Sequence, residues 1–152
     1  MLRSTRTGNL TALMFIDIDY FKQVNDTLGH GAGDALLKEF GQRLLRSVRA
    51  TDVVSRLAGD EFTVILEDVA SIEDATIVAD KILAAIRLPF QIAGVCRDVT
   101  TSIGIACTKA DRSDSVTITK VADDALYRAK AAGRNCYRLD TIDMTASARE
   151  IV

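Results

Sequence analysis

Proline occurs once, at Pro89, and no segment is of low complexity, so nothing in the chain reads as a linker. No internal repeat is present. Cysteine occurs only at Cys96, Cys107 and Cys136. An odd count without metal-type or redox-type spacing speaks against a disulfide framework or a thiolate metal site and implies reduced, mostly structural thiols. No apolar run reaches the ~20 residues of a spanning helix, and no signal-peptide pattern opens the chain, so a cytoplasmic location is expected. Charge of one sign is lacking too: a net charge of −2 and a pI near 5.4 give no electrostatic case for nucleic acid or an anionic membrane. The single histidine, His30, lies between Gly29 and Gly31 and reads as a turn-stabilising hydrogen bonder rather than a catalyst.

What is present is ordinary for a globular domain. The 152 residues are 48% hydrophobic and 26% charged, enough for one domain with a proper core. Ala12–Asp17 reads as a buried strand, Tyr20–Leu28 as a short helix broken by Gly29-His30-Gly31, and Asp34–Val48 as a longer helix. A hairpin over Asp52–Leu66 follows, turning at Gly59-Asp60, with Phe62 and Leu57 as core. Ser71–Leu88 is a helix with Ser71 and Asp74 as its capping pair, and Arg97–Thr108 is a strand. Val116–Ala132 is a helix stopped by Gly133, and Cys136–Leu139 a final edge strand. The core order is β-α-α-β-β-α-β-α-β, an α+β layout of helices against an antiparallel-rich sheet over residues 1–140. Residues 141–152 read as a tail or a connection to a further domain.

Acidic residues fall at two chain reversals. The apolar run Ala12–Ile16 ends abruptly in Asp17, and the hairpin tip carries Asp60 and Glu61. Carboxylates at a strand end beside carboxylates on a hairpin tip are how a protein holds magnesium against a nucleoside triphosphate. The plainer alternative is solvated turn acids, since Asp is common in turns.

Five motifs together resemble the GGDEF family of diguanylate cyclases. They are Asp17-x-Asp19-x-Phe21-Lys22-x-x-Asn25-Asp26, Gly29-His30-x-x-Gly33-Asp34, Ala58-Gly59-Asp60-Glu61-Phe62, Thr101–Ala106, and Ala125-Leu126-Tyr127-x-Ala129-Lys130-x-x-Gly133-Arg134-Asn135. They stand in the family's order over about residues 10 to 139. The resemblance implies a palm-like fold related to nucleotide cyclases and the joining of two GTP into cyclic di-GMP with release of pyrophosphate. It implies that Asp17, the backbone carbonyl of Ile18 and Asp60 hold magnesium or manganese, two ions per site. Asp60 is also implied to help deprotonate the attacking hydroxyl, with Glu61 close by.

The same resemblance places Asn25 and Asp34 where guanine is read, with Phe21 and Gly59 lining the substrate site. Guanine's N1–H and amine want an acceptor such as Asp, its O6 wants an amide donor, and adenine presents the opposite pattern. Otherwise Asn25 caps a turn and Asp34 the next helix. Lys22, Lys130 and Arg134 are the cations implied for the β- and γ-phosphates, helped by backbone amides of the Asp19–Lys22 turn. Arg49-x-x-Asp52, five residues before Ala58, matches the family's inhibitory product site; a surface ion pair is the plain alternative.

Two departures stand out. Position 58 is Ala where the family most often has Gly, a cost of about 1 kcal/mol if a left-handed conformation is required there. The family's segment ahead of the first strand is also missing, with Met1–Leu10 reading as the loop after it. Either the chain is a fragment or the first helix is lost, which would open part of the guanine pocket. One domain holds one GTP, so catalysis is expected to need a homodimer, paired by a fused sensor or coiled coil. The rival expectations are a GTP-binding regulatory module fused to a phosphodiesterase domain, and a cyclic di-GMP receptor.

Overall fold

Aliphatic and β-branched runs supply the strands, and apolar stripes at i, i+3, i+4 supply the helices. The computed structural model describes residues 9–109 and 114–142. The chain runs β1 (Leu10–Ile18), α1 (Phe21–Leu28), α2 (His30–Ser47), β2 (Val53–Ala58), β3 (Glu61–Val69), α3 (Ile72–Arg87), β4 (Phe90–Ile92), β5 (Val95–Arg97), β6 (Thr101–Lys109), α4 (Ser115–Ala131) and β7 (Tyr137–Ile142). Five strands form one sheet in the order β2-β3-β1-β6-β7, antiparallel except for β7, which runs parallel to β6. The α+β expectation holds.

Four local expectations change. Arg97 to Thr108 is not one strand: β5 ends at Arg97, and β4 and β5 form a separate two-stranded ribbon that the core order lacked. The ribbon turns at Ala93-Gly94, both left-handed (φ 53 and 77), the geometry of a two-residue hairpin turn. The second helix starts at His30 rather than Asp34, which leaves Asp34 in its second turn. His30 itself is exposed and is the first residue of that helix. β7 runs on to Ile142, past the expected start of the tail, and Met1 to Gly8 and the rest of the tail lie outside the described residues. Ser71 does cap α3, accepting from the Asp74 amide at 3.3 Å.

The two-residue period of β1 divides the core. Ala12, Met14 and Ile16 pack with Leu36, Phe40 and Leu44 of α2 and with Ala79, Ile82 and Ile86 of α3. Leu13 and Phe15 belong instead to the cluster around Ile118 and Ala122 of α4. Asp17 is in step with Leu13 and Phe15, so alternation turns it towards α4. That helix lies very close on the sheet at Gly104: a Cβ there would come within 2.2 Å of the Ala122 carbonyl oxygen and the Leu126 nitrogen. Backbone cannot yield as a side chain can, so Gly104→Ala is expected to cost about 3 kcal/mol, read as a lower urea midpoint at unchanged m. On the other face Arg43 of α2 closes the end of α3. Its guanidinium donates to the carbonyls of Ala85, Leu88 and Pro89 at 2.7–2.9 Å and lies 3.6 Å from the centre of the Phe90 ring.

Candidate functional site

The antiparallel register sets Asp17 at the end of β1 opposite Glu61 of β3 on one side and Ser102 of β6 on the other. The Ile18 amide approaches the Asp60 carbonyl at 3.4 Å, so the hairpin tip folds against the strand end. Asp17, Ile18, Asp60 and Glu61, expected together from the sequence, meet here. Asp17 is only 7% exposed. One of its oxygens, Oδ2, is ion-paired with Lys130 from the last turn of α4. The other, Oδ1, is buried and has no hydrogen-bond partner.

Burial and the neighbouring Asp17 act together on Asp60. Its carboxyl is pushed up to about 6, first by burial, then by the hydrogen bond its protonated form gives Asp17 and by repulsion from the Asp17 charge. Two carboxylates crowded together need a proton or a cation between them. Among the described residues no cluster of three or more His, Cys, Asp and Glu forms a self-sufficient cage. Such a cage is not what magnesium demands, since it usually takes one or two carboxylates and completes its shell with phosphate and water. The donor set therefore fits that ion.

The Ala58 departure proves harmless to the backbone. Gly59 is the left-handed residue of the tip (φ 53), whereas Ala58 is not left-handed and closes β2 as the partner of Glu61. The feared strain is absent. The register shifts between Arg56 and Ala58, a bulge at Leu57, which ends 57% exposed rather than in the core as expected. Phe62 is buried as expected, stacked obliquely on Phe40. Arg56, unremarked in the sequence, braces the tip by donating from Nε to the Gly59 carbonyl at 2.8 Å. Ala58→Gly is accordingly expected to change any turnover by less than about twofold, since no strain is relieved, as a single-turnover assay would read.

The remaining candidates surround this centre. Asn25 packs on Gly33: a Cβ at that glycine would fall 1.8 Å from Asn25 Oδ1 and 3.3 Å from the Phe21 ring. Gly33 thus makes room for Asn25, one residue before Asp34. Asp34 is exposed and lines a cavity of about 580 Å³ between α2 and β2, together with Leu37, Gly41, Arg56 and Phe62. Lys22 is exposed in the first turn of α1. Arg134 stands 4.9 Å over the Tyr20 ring. Lys130 is committed to Asp17 here, whereas the resemblance implies a phosphate for it.

Arg49 and Asp52 lie elsewhere, six residues along β3 from Glu61, or about 20 Å. Asp52 accepts from the Arg49 amide at 2.8 Å and from its guanidinium at 3.1 Å, and Arg49 Nη2 also donates to the Glu67 carbonyl at 2.6 Å. The Asp52 hydrogen bond holds the Arg49 guanidinium above its ordinary pKa. Both residues line a second cavity of about 440 Å³ with Asp68, Asp74 and Lys81. The three thiols are unpaired, and burial pushes that of Cys107 up to about 11. Among the described residues no helix is long and apolar enough to cross a membrane.

Known proteins share this fold. The family described as "Diguanylate cyclase, GGDEF domain" matches residues 1–136. The chain is 41% identical over 136 residues to the response regulator PleD of Caulobacter vibrioides, covering 88% of this chain and 30% of PleD. It is 40% identical over 148 residues to the bifunctional diguanylate cyclase/cyclic di-GMP phosphodiesterase MucR of Pseudomonas aeruginosa, covering 97% of this chain and 22% of MucR. It thus spans less than a third of either relative. The crystal structure of the GGDEF domain of TpbB (YfiN) from Pseudomonas aeruginosa superposes with a TM-score of 0.83 at 37% identity, covering 93% of this chain and 91% of that one.

Proposed function

Because the chain belongs to the GGDEF family of diguanylate cyclase domains, we propose that it condenses two GTP into cyclic di-GMP with release of two pyrophosphates. The observation that carries this reading is the Asp17–Asp60 pair, two neighbouring carboxylates of which Asp17 keeps one buried oxygen without a hydrogen-bond partner. Asp17, the Ile18 carbonyl and Asp60 would hold magnesium or manganese, which when bound supplies charge neutralisation at the α-phosphate. Asn25 and Asp34 read guanine; Phe21 and Gly59 shape the substrate site; Lys22, Lys130 and Arg134 take the β- and γ-phosphates. Lys130 is paired with Asp17 here and has to leave it to meet phosphate. The 3′-hydroxyl of one GTP attacks the α-phosphate of the other, its proton passes to Asp60 or Glu61, and pyrophosphate departs. One domain binds one GTP, so two copies must face each other.

Arg49 and Asp52 beside their own cavity support a product-binding site separate from the catalytic centre. Arginine suits both a phosphate and the Hoogsteen edge of guanine, and Asp52 already fixes its orientation. The MucR relative favours a second setting, in which the domain is one part of a composite with a phosphodiesterase. The absence of left-handed strain at Ala58 removes one reason to think the domain catalytically silent. Incubation of the chain, dimerised through a fused coiled coil, with GTP and Mg²⁺ or Mn²⁺ tests the proposal. Nucleotide chromatography should show cyclic di-GMP; GTP binding without product would leave a regulatory module.

A further inference from the structure

The most heavily bonded carboxylate near the site belongs to Asp19, to which no role has been given. It is buried and accepts three hydrogen bonds: Oδ1 from Ser102 Oγ at 2.6 Å, and Oδ2 from Thr100 Oγ1 at 2.7 Å and the Asn135 amide at 3.0 Å. Its own amide donates to the Thr100 carbonyl at 3.0 Å. One side chain therefore ties the end of β1, the start of β6 and the connection from α4 to β7. Two of these segments carry left-handed residues that are not glycine: Tyr20 (φ 58), directly after Asp19, and Arg134 and Asn135 (φ 64 and 55). Such conformations persist only where the surroundings over-determine them.

Asn135 is gripped from the other side as well. Arg87, exposed on α3, donates from Nε to Asn135 Oδ1 at 2.8 Å and from Nη2 to its carbonyl at 3.1 Å. Asp19 holds the amide and Arg87 the carbonyl and side chain of one strained residue. The residue before it is Arg134, whose guanidinium is thereby kept over Tyr20, at the head of the turn that carries Lys22.

We propose that Asp19, backed by Arg87, is a positioning residue that preforms the cradle for the triphosphate of a nucleotide and acts through Arg134. The proposal rests on the nucleotide reading above. It requires that Asp19 influence the phosphate tail and not the base. It also explains a carboxylate rather than a hydroxyl here, because two oxygens must accept from three donors, one of them a backbone N–H that cannot turn round. Asp19→Asn can keep its oxygen towards Asn135 and donate to Ser102 Oγ, which can reverse, so Asn should substitute where Ala does not.

Calorimetric titration with GTP and with GMP, in Mg²⁺, tests this. Asp19→Ala is expected to weaken GTP binding about tenfold and GMP binding less than twofold, with Asp19→Asn near the parent. Arg87→Ala, an exposed change, should weaken GTP about threefold and spare GMP. In an Arg134→Ala background, Asp19→Ala should add less than about twofold, because its route of action is gone. Parental GTP affinity in Asp19→Ala, equal loss of GTP and GMP, or a second full tenfold loss without Arg134 would each overturn the proposal. If Asp19→Ala fails to fold, Arg87→Ala decides, and parental GTP affinity there overturns it. A parent that binds neither nucleotide refutes the nucleotide reading itself, a result distinct from these.

Discussion

Asp60→Ala should lower cyclic di-GMP formation by about a thousandfold or more while weakening GTP binding only severalfold. Differential binding sets these two magnitudes apart. Guanine and phosphate contacts are made in ground state and transition state alike, whereas a metal carboxylate at the reacting phosphate counts most as charge develops. Parental product formation in this variant would remove Asp60 from the site. Asp60→Asn isolates the electrostatic half of the claim without any turnover. The Asp60 carboxyl has a folded-state pKa of about 6 against an ordinary value near 4, so between these pH values the folded chain binds more protons than the unfolded one. Stability therefore falls as pH rises from about 4 to about 6, and the full penalty stands above that. Asp60→Asn should raise the melting temperature at pH 8 and not at pH 4, by a modest amount because solvent screens a half-exposed group. Magnesium should stabilise the parent at pH 8 and fail to stabilise the variant, since both remove the same repulsion. A variant less stable than the parent at pH 8 would show that the two carboxylates are not in conflict.

The ease with which this pair was read from sequence has a local cause. Asp17 ends an apolar run, and Asp60 sits on a two-residue tip whose register across β1 and β3 is set by matching alternation. Asn25 and Asp34 are legible for a similar reason, being nine residues apart across one helix break, although the second helix starts four residues earlier than its pattern suggests. What escaped depends on distant partners or on a slipped register. The donors to Asp19 lie 81, 83 and 116 residues away, so no window of sequence could show that its carboxylate is a junction. Leu57 looks like a core residue by pattern, yet the bulge beside it turns it outward, and the same bulge lets Ala58 close the strand without strain. The β4–β5 ribbon was lost because its three-residue strands are too short for a period to declare itself.

Asp34→Ala should weaken GTP binding by about 10- to 100-fold and leave ATP binding nearly unchanged, collapsing the preference between the two. The position makes the experiment clean. Asp34 is exposed in the second turn of α2 rather than at the helix start, so removing it costs no cap and creates no cavity in the core. Its neighbour Gly33 keeps Asn25 seated, so the amide half of the recognition pair survives. Guanine offers N1–H and an amine to an acceptor; adenine offers a bare N1 there and gains nothing from a carboxylate. Asp34→Asn sharpens the test, because an amide supplies one acceptor and one donor and should lower GTP affinity while narrowing the gap to ATP from both sides. Titration of each variant with both nucleotides in Mg²⁺ reads the ratio directly. Equal losses for GTP and ATP would mean that Asp34 acts on the phosphates or the fold, and guanine would then have to be read by other residues lining the same cavity.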